Sequence, residues 1–159
     1  MSTLSLIRLA TPADIPAMVP LINAAFAMET FLDSTRTDEE RLAETMKKGE
    51  FLLGFSSSDG LVASVYVEVR RTRGYFGMLA VSPSHQGKGL GRAMVEAAEG
   101  HCRKQGCDAM DLTVLSLRPE LPPFYSRLGY FETGIEEFHP SRPLKDGAAC
   151  HCIVMSKPL

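Results

Sequence analysis

The stretch "LAVSPSHQGKGLGRAMVEAAE", residues 79–99, sets Gly87, Gly89 and Gly91 between an apolar run and a pattern of helical spacing. The chemistry such a turn can do is anion binding. The first N–H groups of a helix have no partner within it, and the helix dipole adds partial positive charge there. Glycines let phosphate oxygens approach those amides, and Lys88 and Arg92 add mobile positive charge. Two common phosphate loops fail on spacing: GxxxxGK[ST] is absent, and Arg92 stands where a dinucleotide fingerprint has its third glycine. The turn alone also allows a tight strand–helix connection with no ligand.

A second candidate for chemistry is "CHC" at 150–152, within "AACHCIVM", which reads as a strand. There Cys150 and Cys152 share one face while His151 points to the other, which is poor geometry for a metal. The other cysteines, Cys102 and Cys107, form no CxxC pair. Buried thiols are the expectation, with neither disulfides nor a metal.

The elements that must position the glycine turn follow from periodicity and punctuation. "LSLIRLA" alternates as an opening strand. A helix starts at "TPADIPAMVPLINAAFAM", with Thr11 and Asp14 as a weak capping box and Pro12 in the first turn. Pro16 is tolerable near the start, whereas Pro20 should kink or interrupt this helix. A second capping box, Thr37 to Glu40, opens a helix running to about Lys48 and ended by Gly49. "EFLLGF" and "LVASVYVEVR" are strands around the turn "SSSDG". In the latter Leu61, Ala63, Val65, Val67 and Val69 line one face, and Ser64, Tyr66, Glu68 and Arg70 the other. "GYFGMLAV" is a nearly continuous apolar run, expected to be buried on both faces and ended by Pro83. From Gly89 to Gln105, Leu90, Ala93, Met94, Ala97, Ala98 and Cys102 recur at helical spacing. "AMDLTVL", a short helix "PPFYSRLG" stopped by Gly129, and the strands "YFETGIEEF" and "CHCIVMSK" complete the order βααβββαβαββ. This is an α/β chain, an α+β mixed sheet with helices on its faces, read as a single domain over residues 1–159.

Composition narrows the function classes. A hydrophobic content of 45% and a charged content of 23% suit a globular domain with a real core. The formal net charge of −2 argues against nucleic acid and anionic membrane partners. No apolar window reaches the length of a membrane span, and Arg8 breaks the short apolar run at the start. A cytoplasmic protein is expected.

The segment "QGKGLG" is Q-x-x-G-x-G, preceded by "LAVSPSH" and followed by "RAMVEAAE". It resembles the acetyl-CoA-binding motif of the GNAT superfamily of N-acetyltransferases. "LRPELPPFYSRLGYFETG" resembles that family's second motif, and the order of elements matches over essentially the whole chain. The resemblance implies an N-acetyltransferase domain that uses acetyl-CoA as co-substrate and needs no metal. It implies that amides around Gln86, Gly87, Lys88, Gly89, Leu90, Gly91 and Arg92 cradle the pyrophosphate. The backbone of Leu79, Ala80 and Val81 would pair with the pantetheine arm like an added strand, and an N–H near Leu79 would face the thioester oxygen. Tyr125 aligns with the family's general acid beside the coenzyme sulfur, with Phe124 next to it on the coenzyme side. Each has an alternative as an aromatic that anchors a short helix.

Two departures from the family pattern stand out. Where the family often has an asparagine touching pantetheine, this chain reads "SLRPELPP", so Ser116 or Arg118 could substitute. Arg118 could equally meet a coenzyme phosphate or an acidic substrate, or be solvated. Where many members carry an acid early in the strand ending "LAV", this chain has Tyr75, and Glu68 on the neighbouring strand is the nearest candidate base. Its alternative is a strand-end carboxylate paired with an arginine. The family's acceptor region corresponds to "FAMETFLDSTRT" and "EEFHPSRPLKDGAA". These offer Phe26, Glu29, Thr30 and Phe31, then Glu136, Glu137, His139 and Arg142, for amine charge and an apolar wall. Solvated loop residues are the other reading of that set. The acceptor implied is a small amine, amino acid or peptide. Alternatives are a longer acyl donor or a non-catalytic acyl-CoA sensor, and a homodimer through a sheet edge is compatible with the resemblance.

Overall fold

The strand legible in "LVASVYVEVR" lies inside a seven-stranded sheet of order β1-β2-β3-β4-β5-β7-β6. In the computed structural model, which describes residues 4–30, 35–138 and 150–159, the strands are β1 (Leu6–Leu9), β2 (Glu50–Ser56), β3 (Gly60–Arg70), β4 (Arg73–Val81), β5 (Ala109–Leu115), β6 (Phe131–Glu137) and β7 (His151–Pro158). The helices are α1 (Ile15–Ala25), α2 (Glu39–Met46), α3 (Leu90–Lys104) and α4 (Leu121–Ser126). The order is the βααβββαβαββ read from the sequence. All neighbouring strands are antiparallel except β4 and β5, which are parallel and joined through α3.

Each face of the sheet carries its own core. The odd residues of β3, Ala63, Val65 and Val67, pack with Phe76, Met94, Ala98, Leu112 and Tyr125 under α3 and α4. On the opposite face Tyr66, Phe51, Leu53 and Ala80 pack with Ile15, Met18, Ile22 and Leu42 of α1 and α2. Tyr66 and Ser64, on the polar side of the alternation, are therefore buried too. A layer of helix on both faces explains why β3 is buried without a break from Val62 to Val67.

Three local expectations change. α1 continues through Pro20, which is exposed, because Ile15, Met18, Leu21 and Ile22 anchor the helix on its buried side. The cap of α2 is Asp38, whose carboxylate accepts the Arg41 N–H at 2.8 Å. Thr37 is drawn one residue out of the helix because its N–H donates to Asn23 Oδ1 at 2.8 Å and its carbonyl accepts from Asn23 Nδ2 at 3.0 Å. β4 is not buried along its length. Phe76 and Ala80 are buried, but Gly77, Met78 and Leu79 are half-exposed, for a reason that defines the site.

Candidate active site

β4 and β5 pair over only three positions, Arg73 with Ala109, Gly74 with Met110 and Tyr75 with Asp111. Beyond Tyr75 the strands separate, while β5 keeps its antiparallel ladder with β7 as far as Leu115. The edge of β4 from Phe76 to Val81 is thus left facing a cleft of about 1080 Å³. Backbone groups exposed along such an edge seek partners, and an extended ligand arm can supply them.

A bulge sits on that edge. β3 and β4 pair Tyr66 with Gly77 and then Ser64 with Ala80, so β4 carries one residue too many at Met78 and Leu79. Met78 takes φ +50°, a left-handed conformation that costs a non-glycine residue about 1–2 kcal/mol. The bulge breaks the alternation and leaves backbone there out of the ladder, beside the cleft. Met78 and Ala80 face the α1 side, and Leu79 and Val81 the α3 side.

The glycine turn closes the cleft at one end. Gly87 and Gly89 have φ +79° and +81°, so both need glycine for backbone reasons. A side chain at Gly87 would meet no protein atom within 4 Å, and Gly89 forms the left-handed cap of α3. The first intrahelical bond is Ala93 N–H to the Gly89 carbonyl at 3.1 Å, which leaves the earlier amides of α3 available. The Gln86 side chain is structural, donating from Nε2 to the Val81 carbonyl at 3.1 Å. Arg92 lines the cleft and lies 3.9 Å from Glu96, whereas Lys88 is exposed outside the lining. His85, also on the cleft lining, braces the loop through bonds to Asp59 at 2.8 Å and Ser84 at 3.0 Å. That contact holds the Asp59 carboxyl below its ordinary range.

Tyr125 lines the same cleft on the α4 side, 7% exposed. Its ring is enclosed edge-on by Phe124 at 5.0 Å, Phe76 at 5.8 Å and Tyr130 at 6.2 Å. Among the described residues its hydroxyl makes no hydrogen bond, and burial pushes its pKa above the tyrosine range. The buried phenol is therefore held in its neutral form. Phe124 also lines the cleft.

Glu68 faces the cleft from β3, across from Tyr75 in the ladder. Its carboxylate accepts from Arg70 Nε at 3.0 Å and from the Tyr66 hydroxyl at 2.8 Å. Arg70 chiefly, opposed by burial and helped by Tyr66, holds its pKa below the ordinary carboxylate range. Arg70 in turn lies 4.2 Å from the centre of the Tyr75 ring. Tyr66, Arg70 and Tyr75 all line the cleft. The alternation in "SVYVEVR" already placed Tyr66, Glu68 and Arg70 on one face, which was the signal for this group.

Arg118 and Glu29, read separately from the sequence, meet. Arg118 donates to Glu29 at 2.9 Å and to Glu120 at 3.0 Å, with side chains 13% and 4% exposed for Arg118 and Glu29. This pair ties the approach to α4 to the segment after α1 at the cleft wall, and spends much of Arg118's charge. Ser116 bonds with His151, each N–H donating to the other residue. Phe26 lines the cleft under the Arg36 guanidinium, 5.1 Å away, and Glu137 lines it from β6. Phe31, His139 and Arg142 lie outside the described residues. Cys102, Cys107 and Cys152 are buried, and among the described residues no acidic, His or Cys cluster is placed to hold a metal ion.

A profile of the acetyltransferase (GNAT) domain matches residues 17–139. The chain belongs to that family. Among curated proteins it is 33% identical over 76 residues to mycothiol acetyltransferase of Propionibacterium freudenreichii, covering 47% of this chain and 24% of that one. It is 29% identical over 124 residues to the mycothiol acetyltransferase of Saccharopolyspora erythraea, covering 76% and 41%. The chain thus spans less than half the length of these two relatives. Among solved structures it superimposes on the ribosomal-protein-S18-alanine N-acetyltransferase of Escherichia coli with a TM-score of 0.77, 23% identity and coverage of 96% and 92%. A phosphinothricin acetyltransferase of Sinorhizobium meliloti, solved with acetyl-CoA, gives 0.76 at 18% identity, with coverage of 99% and 89%. At these identities the likeness is one of fold.

Proposed function

We propose that the protein is an acetyl-CoA-dependent N-acetyltransferase acting on a primary amine of a small molecule, amino acid or peptide. The observation that carries this is the continuity of one cleft: a free β4 edge leads from a bulge beside Tyr125 to the open amides of α3. The residues fit the co-substrate. The turn is left-handed at Gly87 and Gly89, the open space at Gly87 suits a pyrophosphate against α3, and the β4 edge suits an amide-bearing arm. Bound there, acetyl-CoA supplies an activated thioester carbonyl and a thiolate leaving group.

The chain's own groups then have distinct tasks. In this reading a backbone N–H at the Met78–Leu79 bulge donates to the developing oxyanion. Tyr125 holds a proton for the departing sulfur. Glu68 is a weak base, because Arg70 and Tyr66 stabilise its carboxylate form. An amine of pKa about 10.4 costs about 4.6 kcal/mol to deprotonate at pH 7, whereas an α-amine of pKa about 7.7–8.0 costs about 1–1.4 kcal/mol. The guarded Glu68 therefore favours acceptors of low pKa, with water carrying off the proton.

The test is thiol release from acetyl-CoA across a panel of amines, with products identified by mass spectrometry. Turnover on amines of low pKa supports the proposal. Tight acetyl-CoA binding with no turnover on any amine would replace it with a non-catalytic sensor. Loss of turnover of a strongly basic amine in Glu68→Gln, with coenzyme affinity intact, would make Glu68 a dedicated base.

A further inference from the structure

Behind Tyr125 lies a buried carboxylate that the reaction does not use. Glu99, on the third turn of α3, is 4% exposed. It accepts the Tyr130 hydroxyl proton at 2.7 Å and Lys157 Nζ at 3.1 and 3.3 Å. Tyr130, 2% exposed, sits at the exit of α4. Its N–H donates to the Tyr125 carbonyl at 3.1 Å, across Gly129 at φ +99°. Its ring stands edge-on to both Tyr125, at 6.2 Å, and Phe76, at 5.8 Å. Lys157 completes the group, with its ammonium 5.6 Å from the Tyr130 ring centre.

We propose that Glu99 is a positioning residue for Tyr125, acting through Tyr130, so that α3 holds both the coenzyme phosphates and the orientation of the acid. This rests on the reading of Tyr125 as proton donor. Tyr125 needs such support because its hydroxyl has no hydrogen-bond partner among the described residues and is aimed by ring packing alone. α4 has six residues, too few to be a rigid mount on its own. The ring that backs Tyr125 is fixed at both ends, by the N–H to the Tyr125 carbonyl and by the hydroxyl to Glu99. For stability alone an apolar contact would serve as well, since buried ionic groups are costly to desolvate. A hydrogen-bonded phenol adds a defined direction. Glu99 is nine residues beyond Leu90, the first residue of α3, so about 13 Å of helix joins the amide cradle to this anchor.

The test is a kinetic cycle on the whole chain. Tyr130→Phe removes one oxygen atom, and should lower kcat about tenfold with KM for acetyl-CoA unchanged, because misplacement of a reacting group acts on the chemical step. Glu99→Leu should match it, whereas Glu99→Gln, whose amide oxygen still accepts the Tyr130 proton, should restore most of the rate. In a Tyr125→Phe background, Tyr130→Phe should have no further effect. An equal loss in both backgrounds, or a KM change without a kcat change, overturns the proposal by reducing the anchor to a structural part. Full activity of Tyr125→Phe alone would instead remove the acid role, and this inference with it. Should Glu99→Leu fail to fold, the Tyr130→Phe cycle decides the matter.

Discussion

A single methyl group at Gly91 should separate coenzyme binding from stability. A Cβ there meets Phe124 Cζ at 3.5 Å and Leu79 Cδ2 at 3.9 Å, both ordinary van der Waals distances. Gly91 is the second residue of α3, and its backbone is not in the left-handed region. Gly91→Ala should therefore stabilise the free protein by about 0.5–1 kcal/mol through reduced unfolded-state entropy. For a chain of this length that is about 1–4 °C in Tm. Phe124 and Leu79 both line the cleft, however, so on the proposed placement of the coenzyme the methyl occupies ground that a phosphate would need to reach the α3 amides. Loss of one charge-assisted hydrogen bond, about 1.5–3 kcal/mol, would raise the Kd for coenzyme A about 10–150-fold. Calorimetric titration measures the affinity and a thermal melt the stability. Acetylpantetheine, a donor truncated before the pyrophosphate, should be used equally well by wild type and variant. An unchanged coenzyme A affinity in a stabilised protein would refute the placement of the pyrophosphate at α3. An equal loss with acetylpantetheine would show that the methyl disturbs the whole cleft.

Other expectations follow from the same geometry. Tyr125→Phe should lower kcat by about 10²–10⁴-fold with coenzyme affinity retained; because burial raises the Tyr125 pKa, kcat of the wild type should not fall near pH 10 through loss of this proton. Asp14 accepts from Arg8 at 2.8 and 2.9 Å and from the Thr11 N–H at 2.7 Å, which hold its pKa well below the usual carboxylate range. A depressed folded-state pKa gives stability that is full above the unfolded value, about 3.9, and is lost as pH falls through the folded one. Asp14→Asn should thus lower Tm by about 1–3 °C at pH 7, discounted for the exposed arginine, with the gap narrowing below about pH 4. Burial pushes the Cys102 thiol up to about 12, so at neutral pH iodoacetamide should label half-exposed Cys150 first and reach Cys102 only on unfolding, as read by peptide mass spectrometry.

The features legible in the chain were those whose causes are local. Periodicity set the order of strands and helices, and Gly87 and Gly89 marked a tight turn into α3, because left-handed backbone belongs to a few consecutive residues. Where several local signals compete, the sequence misleads by small steps. Thr37 and Asp38 can both cap α2, and the side chain of Asn23 settles the choice from another helix. Pro20 breaks an isolated helix, yet burial of Met18, Leu21 and Ile22 holds α1 together through it.

Long-range register lay beyond that reach. Nothing within "GYFGMLAV" shows that β4 keeps β5 for three pairs and then parts from it while the β5 ladder with β7 runs on, since a strand's choice of neighbour is a contest among distant segments. The same holds for the bulge at Met78, where the count of residues on β3 against β4 fixes the exposed amides. Glu29 and Arg118 are 89 residues apart in the chain, and only their meeting shows that each is largely occupied by the other. The glycine turn could be named from its residues because it builds its own backbone. The cleft that gives the turn a use exists only where two strands part.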